Sequence, residues 1–326
     1  MMKRSAALSM LIVFFCFGIS FSYPVQGQKS STIHTIIVDP GHGGQFHGTR
    51  GLISKEEDVT LEIGLKLGQA IKKEFPNIKV VFTRTTEGSV NDAASLKEDL
   101  HNRAQIANQA KGDLFISIHC DATPRPAGGY YEKRVIGHKK KLEYVGRGKK
   151  RRKKWVTVPI YESYWVKNMM TGATTYIWKA EKMEDKTKAI NQKDEDSTGE
   201  LQDSTIEWDT ESPEARIRAQ LYEQKYFKKS ATLAALIEEE FANSGRRTWG
   251  VKQRDKGIQV LQATGMPSVL VETGYLTNKE EEEYLNSDKG QDEVVAGIIK
   301  ALSRYKQQLE SNKPLANLTL DSTKQQ

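Results

Sequence analysis

Short β-branched apolar runs alternate along the chain with longer stretches in which apolar residues recur every three to four positions. Ile33 to Val38 is a compact apolar run ending in Asp39-Pro40-Gly41-His42-Gly43-Gly44, and it reads as a buried strand entering a sharp loop. Glu57 to Phe75 sets Val59, Leu61, Ile63, Leu65, Leu67, Ala70 and Ile71 among charges. That is a helical pattern with acids at its start, where they favour the helix dipole. Lys79 to Thr83 reads as a second strand and Leu96 to Ala110 as a second helix. Asp113 to His119 reads as a third strand, apolar enough to be buried on both faces. Strands separated by helices need crossover connections, which predicts an α/β fold with a largely parallel sheet flanked by helices.

The alternation lapses after Asp121. From Lys133 to Lys154 there are twelve Lys or Arg and one acid, Glu143, whereas Glu181 to Glu214 holds twelve acids and four Lys. Runs of this kind are ordinarily solvated loops. The sharper readings are that the two runs face each other, or that the basic run binds an anionic wall polymer. Tyr161 to Trp165 and Thr174 to Trp178 alternate aromatic and polar residues, which suggests a small hairpin inside the insertion. Order is expected again over Glu214 to Asn243, a long amphipathic pattern with a helix start at Ser212-Pro213. Two short apolar runs follow, Ile258 to Leu261 and Ser268 to Val271, the second leading into Glu272-Thr273-Gly274-Tyr275. A last helix is expected from about Gln291 to Gln308. The organisation expected is one α/β domain over residues 33–306, interrupted by a charged insertion at 125–213 and followed by a flexible tail at 307–326.

Composition adds a location. The 326 residues can bury a sizeable core, and 37% hydrophobic with 28% charged residues is a globular balance. Lys3 and Arg4 precede an almost wholly apolar stretch, Ala6 to Phe21, and small residues follow, the three-part pattern of a secretory signal peptide. Cleavage is expected after Ser22, or as late as Gly27. The run is short for a membrane span, and no other segment is apolar enough for one. Cys16 lacks the small preceding residues that lipid attachment would want. Loss of Lys3 and Arg4 lowers the formal charge from +7 to +5. A basic exported protein, periplasmic or extracellular, favours an anionic surface such as a cell wall. Nucleic acid fits poorly with export, and no nucleic-acid motif is present. Only Cys120 survives cleavage, so no internal disulfide can form.

In parallel α/β sheets, ligands bind beyond the carboxyl ends of the strands. His42, His119 and Glu272 all fall at such ends, from strands far apart in the sequence. Zinc prefers imidazole and carboxylate ligands, and a hydrolytic site keeps one position open for water. A further ligand would lie near the loop after the first strand, where Glu56 and Glu57 stand. Either glutamate also suits simple stabilisation of the helix start.

These segments together resemble the zinc-dependent N-acetylmuramoyl-L-alanine amidases of the amidase_3 family. Val38-Asp39-Pro40-Gly41-His42-Gly43-Gly44 is similar to its opening motif, and Glu56-Glu57-Asp58-Val59-Thr60-Leu61 to its Glu-Lys-Asp-Val-Asn-Leu. Phe82-Thr83-Arg84, and Arg103 with Ala107-Asn108, match the next landmarks. Asp113 to Asp121 resembles its second histidine strand, and Met266 to Asn278 its last catalytic segment. The resemblance covers roughly residues 33–124 and 214–306. It implies a zinc-hydrolase, phosphorylase/hydrolase-like architecture, with Zn²⁺ bound by His42, Glu56 and His119 and with Glu272 as the catalytic glutamate. It implies hydrolysis of the amide joining N-acetylmuramic acid to L-alanine in peptidoglycan. Cys120 stands where the family usually has Ala and is expected to point into the core; Thr273 stands where Leu is common. The insertion is longer than in minimal amidases, so a lid moved by an activator protein is also expected. Asp39 and Asp121, which flank the two histidines, suit either second-layer contacts or turns. The rival readings are a zinc-dependent stem-peptide endopeptidase or carboxypeptidase, and a non-catalytic peptidoglycan-binding protein.

Overall fold

The computed structural model describes residues 33–179, 213–254 and 257–311, with backbone alone for 213–223. The expected signal peptide, most of the acidic run and most of the tail lie outside the described residues. Among the described residues no helix is long and apolar enough to cross a membrane.

Among the described residues, eight strands and six helices place the site. The strands are β1 (Thr35–Pro40), β2 (Lys79–Phe82), β3 (Leu114–Asp121), β4 (Gly129–Val145), β5 (Arg152–Lys167), β6 (Ala173–Trp178), β7 (Thr248–Arg254) and β8 (Ser268–Tyr275). The helices are α1 (Glu56–Glu74), α2 (Leu96–Gln109), α3 (Pro213–Asn243), α4 (Gln259–Ala263), α5 (Lys279–Leu285) and α6 (Asp288–Glu310). Six strands form one sheet in the order β2-β1-β3-β8-β6-β7. The pairs β1–β2, β1–β3, β3–β8 and β6–β7 are parallel, and β6 runs antiparallel to β8. The fold is therefore a mostly parallel mixed sheet flanked by helices, as the alternation of patterns implied.

Strand alternation sorts the core into two sides. Ile36, Val38, Leu114, Ile116, Ile118, Val269 and Val271 pack with the apolar stripes of α1, α3 and α6. Ile37, Phe115 and Leu270 face the other way, with Ala107 of α2 and with Val260 and Leu261 of α4. Every position of β1 and β8 is buried, which explains their unbroken apolar runs. Ser95, Asn278 and Ser287 cap α2, α5 and α6 by accepting backbone N–H bonds. No side chain caps α1; its first turn carries Glu56, Glu57 and Asp58 instead.

The span 125–213 differs from its expected form. Tyr161 to Trp165 does not pair with Thr174 to Trp178. It belongs to β5, which pairs with β4 along a long antiparallel ribbon containing most of the basic run. Thr174 to Trp178 lies in β6, a strand of the main sheet beside β8. Alternation of aromatic and polar residues marks a strand but does not choose its partner, and the antiparallel register chose differently.

Candidate metal centre and active-site cavity

β1, β3 and β8 end on the same side of the sheet, and each end delivers one group. β1 runs into the loop carrying His42. His119 lies near the end of β3, level with Glu272 of β8 in the parallel register. Glu56 is the first residue of α1, brought in by a hydrogen bond from its own N–H to the Thr49 carbonyl, 2.8 Å.

His42, Glu56 and His119 form a cluster whose ligand atoms all lie within 4.8 Å of one another. His42 Nε2 is 3.1 Å and His119 Nδ1 3.0 Å from the same oxygen, Glu56 Oε1. The Cys120 N–H donates to that oxygen as well, at 3.0 Å, while the Thr49 N–H holds Oε2 at 2.8 Å. The carboxylate is thus oriented by two backbone donors. Burial alone would push its proton affinity up, but the hydrogen bonds from His119 and His42 outweigh it and hold Glu56 well below the usual carboxylate range. His119 is shifted down, chiefly by burial, which favours its neutral form. Two imidazoles and one carboxylate converging at one point are a donor set that fits zinc. The packing around them fits too. A Cβ on Gly41 would run into the His119 ring, and one on Gly48 into Glu56 Oε2.

Glu57, the rival for the ligand position, points elsewhere. Its Oε1 meets His47 Nδ1 at 2.6 Å and Lys55 Nζ at 3.1 Å. Glu272 is 8% exposed, and its Oε2 has no hydrogen-bond partner. Burial, with Glu56 and then Asp121 nearby, raises its proton affinity well above the ordinary value. His42, Glu56, His119 and Glu272 all line one cavity of about 420 Å³, together with Asp99 and Ile258. Cys120 borders the cavity, but it belongs to the buried core cluster, with its Sγ 3.3 Å from Thr273 Oγ1. Burial lifts its thiol far above the usual range, as an inert buried cysteine requires. His34, His101 and His138 stand outside the cluster, as expected of histidines that match no motif.

Sequence reasoning gave no physical role to the two arginines that hold the His42 loop. His42 sits at φ 63°, followed by Gly43 at 127° and Gly44 at 62°. A non-glycine residue there is strained and needs external support. Arg103 donates from Nη1 to the Pro40 carbonyl at 2.7 Å and from Nη2 to the His42 carbonyl. Arg84 donates to the carbonyls of Pro40 at 3.0 Å and Gly41 at 2.8 Å, and to that of Glu57 at 2.7 Å. Arg103 is neutralised by Asp39 and Asp99. Asp39, the expected second-layer residue, is fully engaged by Arg103, Thr83 and Ser117, so it anchors the loop rather than a ring nitrogen. Asp121 accepts from the Ala122 N–H at 2.8 Å, a turn contact.

A family model described as Amidase_3, N-acetylmuramoyl-L-alanine amidase, matches residues 36–304. The chain belongs to this family. The germination-specific N-acetylmuramoyl-L-alanine amidase of Bacillus subtilis is 23% identical over 92% of this chain and 93% of its own length. The probable amidase AmiB of Haemophilus influenzae is 24% identical over 90% of this chain, which spans 56% of that protein. Among solved structures, the CwlD amidase of Clostridioides difficile, in complex with the GerS lipoprotein, superposes with a TM-score of 0.51 at 22% identity. That match covers 83% of this chain and 98% of the other. Against the Amidase_3 fold, the cavity at the ends of β1, β3 and β8 is the candidate active site.

Proposed function

We propose that this Amidase_3 chain cleaves the amide between the lactyl group of N-acetylmuramic acid and L-alanine in peptidoglycan. The observation that carries it is the convergence of His42, Glu56 and His119 on one point of the cavity that Glu272 also lines with an unpartnered, buried carboxyl oxygen. We assign zinc to the three-residue cluster. Bound there, it would polarise the scissile carbonyl and lower the pKa of a water to about 7.

The rest of the chemistry falls to the chain's own groups. Glu56, aimed by the N–H groups of Thr49 and Cys120, supplies a fixed negative charge. His119, whose charged form burial disfavours, would offer a lone pair to a metal held there. Glu272 takes the proton of the attacking water and returns it to the departing amide nitrogen. Its surroundings raise its hold on a proton, as that shuttle needs. The narrow walls near Gly41 and Gly48 keep these groups from shifting.

The reading includes export of a catalytic domain over residues 33–306 to the cell wall, and a protein partner acting on the insertion. The relative solved in complex with a lipoprotein supports a protein partner, and the insertion as its place is our own assignment.

The test is incubation of the mature protein with purified peptidoglycan, with zinc and with chelator, and mass analysis of what is released. Zinc-dependent release of peptides beginning with L-alanine, from intact glycan strands, is the expected result. Cleavage confined to the peptides would replace this reading with an endopeptidase. Glu272→Gln should keep the metal and lose nearly all turnover; near-wild-type turnover would remove Glu272 from the mechanism.

A further inference from the structure

β4 and β5 pair with each other and, among the described residues, with no other strand. They are 17 and 16 residues long, so at about 3.3 Å per residue the ribbon extends roughly 50 Å. An isolated two-stranded ribbon is marginal in water, and one that displays large apolar groups calls for something to cover them.

The register shows how those groups are arranged. Alternate residues of β5 and their partners on β4 share a flank, with one irregularity between Val135 and Gly137. One flank carries Tyr131 opposite Trp165, Val135 opposite Tyr161, Leu142 opposite Trp155, and Tyr144 opposite Lys153. Its five aromatic rings are strongly exposed, from 52% at Trp165 to 71% at Tyr131. Lys133, His138 and Lys140 stand between them, and no carboxylate lies on this flank. All three acids of the ribbon, Glu132, Glu143 and Glu162, are on the opposite flank. There they are matched by Arg125, Lys141 and Arg134. The ribbon therefore has one flank that holds all its acids, each paired, together with Lys139, Arg152 and Lys154, and one flank of exposed rings with Lys133, Lys140 and Lys153, which face no carboxylate.

The ribbon is also rooted at the site. β4 starts eight residues after Asp121, which ends β3 and lines the cavity together with Ala122. The Gly128 N–H donates to the Thr277 carbonyl, just beyond β8. None of the residues lining the cavity comes from the ribbon, which argues for an extension of the site rather than a cover.

We propose that this aromatic, cationic flank is a second binding surface for peptidoglycan, gripping glycan strands and their stem peptides beyond the bond being cut. The proposal rests on the amidase reading above. Sugar rings present C–H faces that pack on exposed aromatic rings, and stem peptides present carboxylates that complement Lys133, Lys140 and Lys153. An anionic bilayer is less well matched. Insertion would need an apolar tip, and the turn Gly146-Arg147-Gly148-Lys149-Lys150-Arg151 has none, while the rings are spread along the flank.

The test compares the full-length protein with two variants, Tyr144→Ser/Trp155→Ser/Tyr161→Ser and Lys133→Glu/Lys140→Glu/Lys153→Glu. Each is pelleted in the cold with purified peptidoglycan sacculi and, separately, with phosphatidylglycerol vesicles. Turnover of a short soluble disaccharide-peptide is measured in parallel. Both variants should need about tenfold more sacculi for half-maximal pelleting, with short-substrate turnover within about twofold of wild type. Unchanged pelleting in both variants would overturn the proposal. So would a loss confined to the vesicles, which would make the flank a lipid-binding surface. A wild-type protein that pellets through the ribbon but releases no peptide from any substrate would refute the amidase reading while leaving this surface standing.

Discussion

Replacing Arg103 by methionine keeps most of the buried stem and removes the guanidinium that ties the His42 loop to the core. Arg103 is 2% exposed and donates to Asp99 Oδ2 at 2.6 Å, to Asp39 Oδ1 at 2.8 Å, and to the carbonyls of Pro40 and His42. The variant leaves Asp39, itself 1% exposed, without its counter-charge. Breaking a buried pair from one side costs about 3–5 kcal/mol, because the remaining charge stays desolvated. For a domain of this size that corresponds to a fall of roughly 6–20 °C in the unfolding midpoint. The His42 loop, held at positive φ, would relax as well, and zinc affinity should drop about 10- to 100-fold. Calorimetry gives the first quantity, and competition with a chromophoric chelator the second. Adding Asp39→Asn to Arg103→Met should recover about 1 kcal/mol or more, because one of the two stranded charges, the other being Asp99, is gone. A single variant that melts within about 2 °C of wild type and binds zinc equally well would refute the clamp reasoning.

Three further outcomes are expected. Glu238, buried on α3, accepts from Thr175 Oγ1 at 2.6 Å and from the Gly250 N–H at 2.9 Å, and burial raises its pKa from 4.5 to about 7. A raised folded-state pKa means that the folded chain holds the extra proton. Its stabilisation is complete below about pH 4.5 and is lost as pH climbs through about 7, with a swing of at most about 3 kcal/mol. Melting between about pH 5 and pH 8 should show that fall in wild type and a flatter profile in Glu238→Gln; parallel profiles would dismiss the idea. Gly41→Ala should abolish zinc binding and activity with little change in secondary structure, since its methyl group collides with the His119 ring; metal content and circular dichroism check this. Glu56→Gln should weaken zinc binding far more than Glu57→Gln, whose carboxylate serves His47 and Lys55; equal losses would reopen the choice between them.

The parts of the fold that read clearly were those where burial on both faces forces an unbroken apolar run. β1, β3 and β8 are of that kind, and each run stops where a polar group enters the cavity. β7 gave no such signal. Thr248-Trp249-Gly250-Val251-Lys252-Gln253-Arg254 lies at a sheet edge, half-exposed to exposed, so nothing demanded apolar residues there. The β4–β5 ribbon hid for a related reason. Neither flank meets the core, so its composition matches a solvated loop although its backbone is regular. Glu56 and Glu57 could not be separated by helix position alone, because the two differ only in which hydrogen-bond donors surround them in space. Arg84 and Arg103 were visible as residues but not as buried ones, since an arginine at the core betrays itself only through distant partners such as Asp39 and Pro40.

His42, Glu56 and His119 follow one another at intervals of 14 and 63 residues, and they meet only when β1 and β3 lie side by side in register. A cation gripping all three would act on the chain as a removable staple. Without it the folding chain must close both loops unaided, at a cost that rises with loop length by about 0.6 kcal/mol per doubling. With it, the unfolded chain is penalised in proportion to the logarithm of free metal. If the cluster holds zinc, the supply of the metal would then set the lifetime of the molecule as well as its rate.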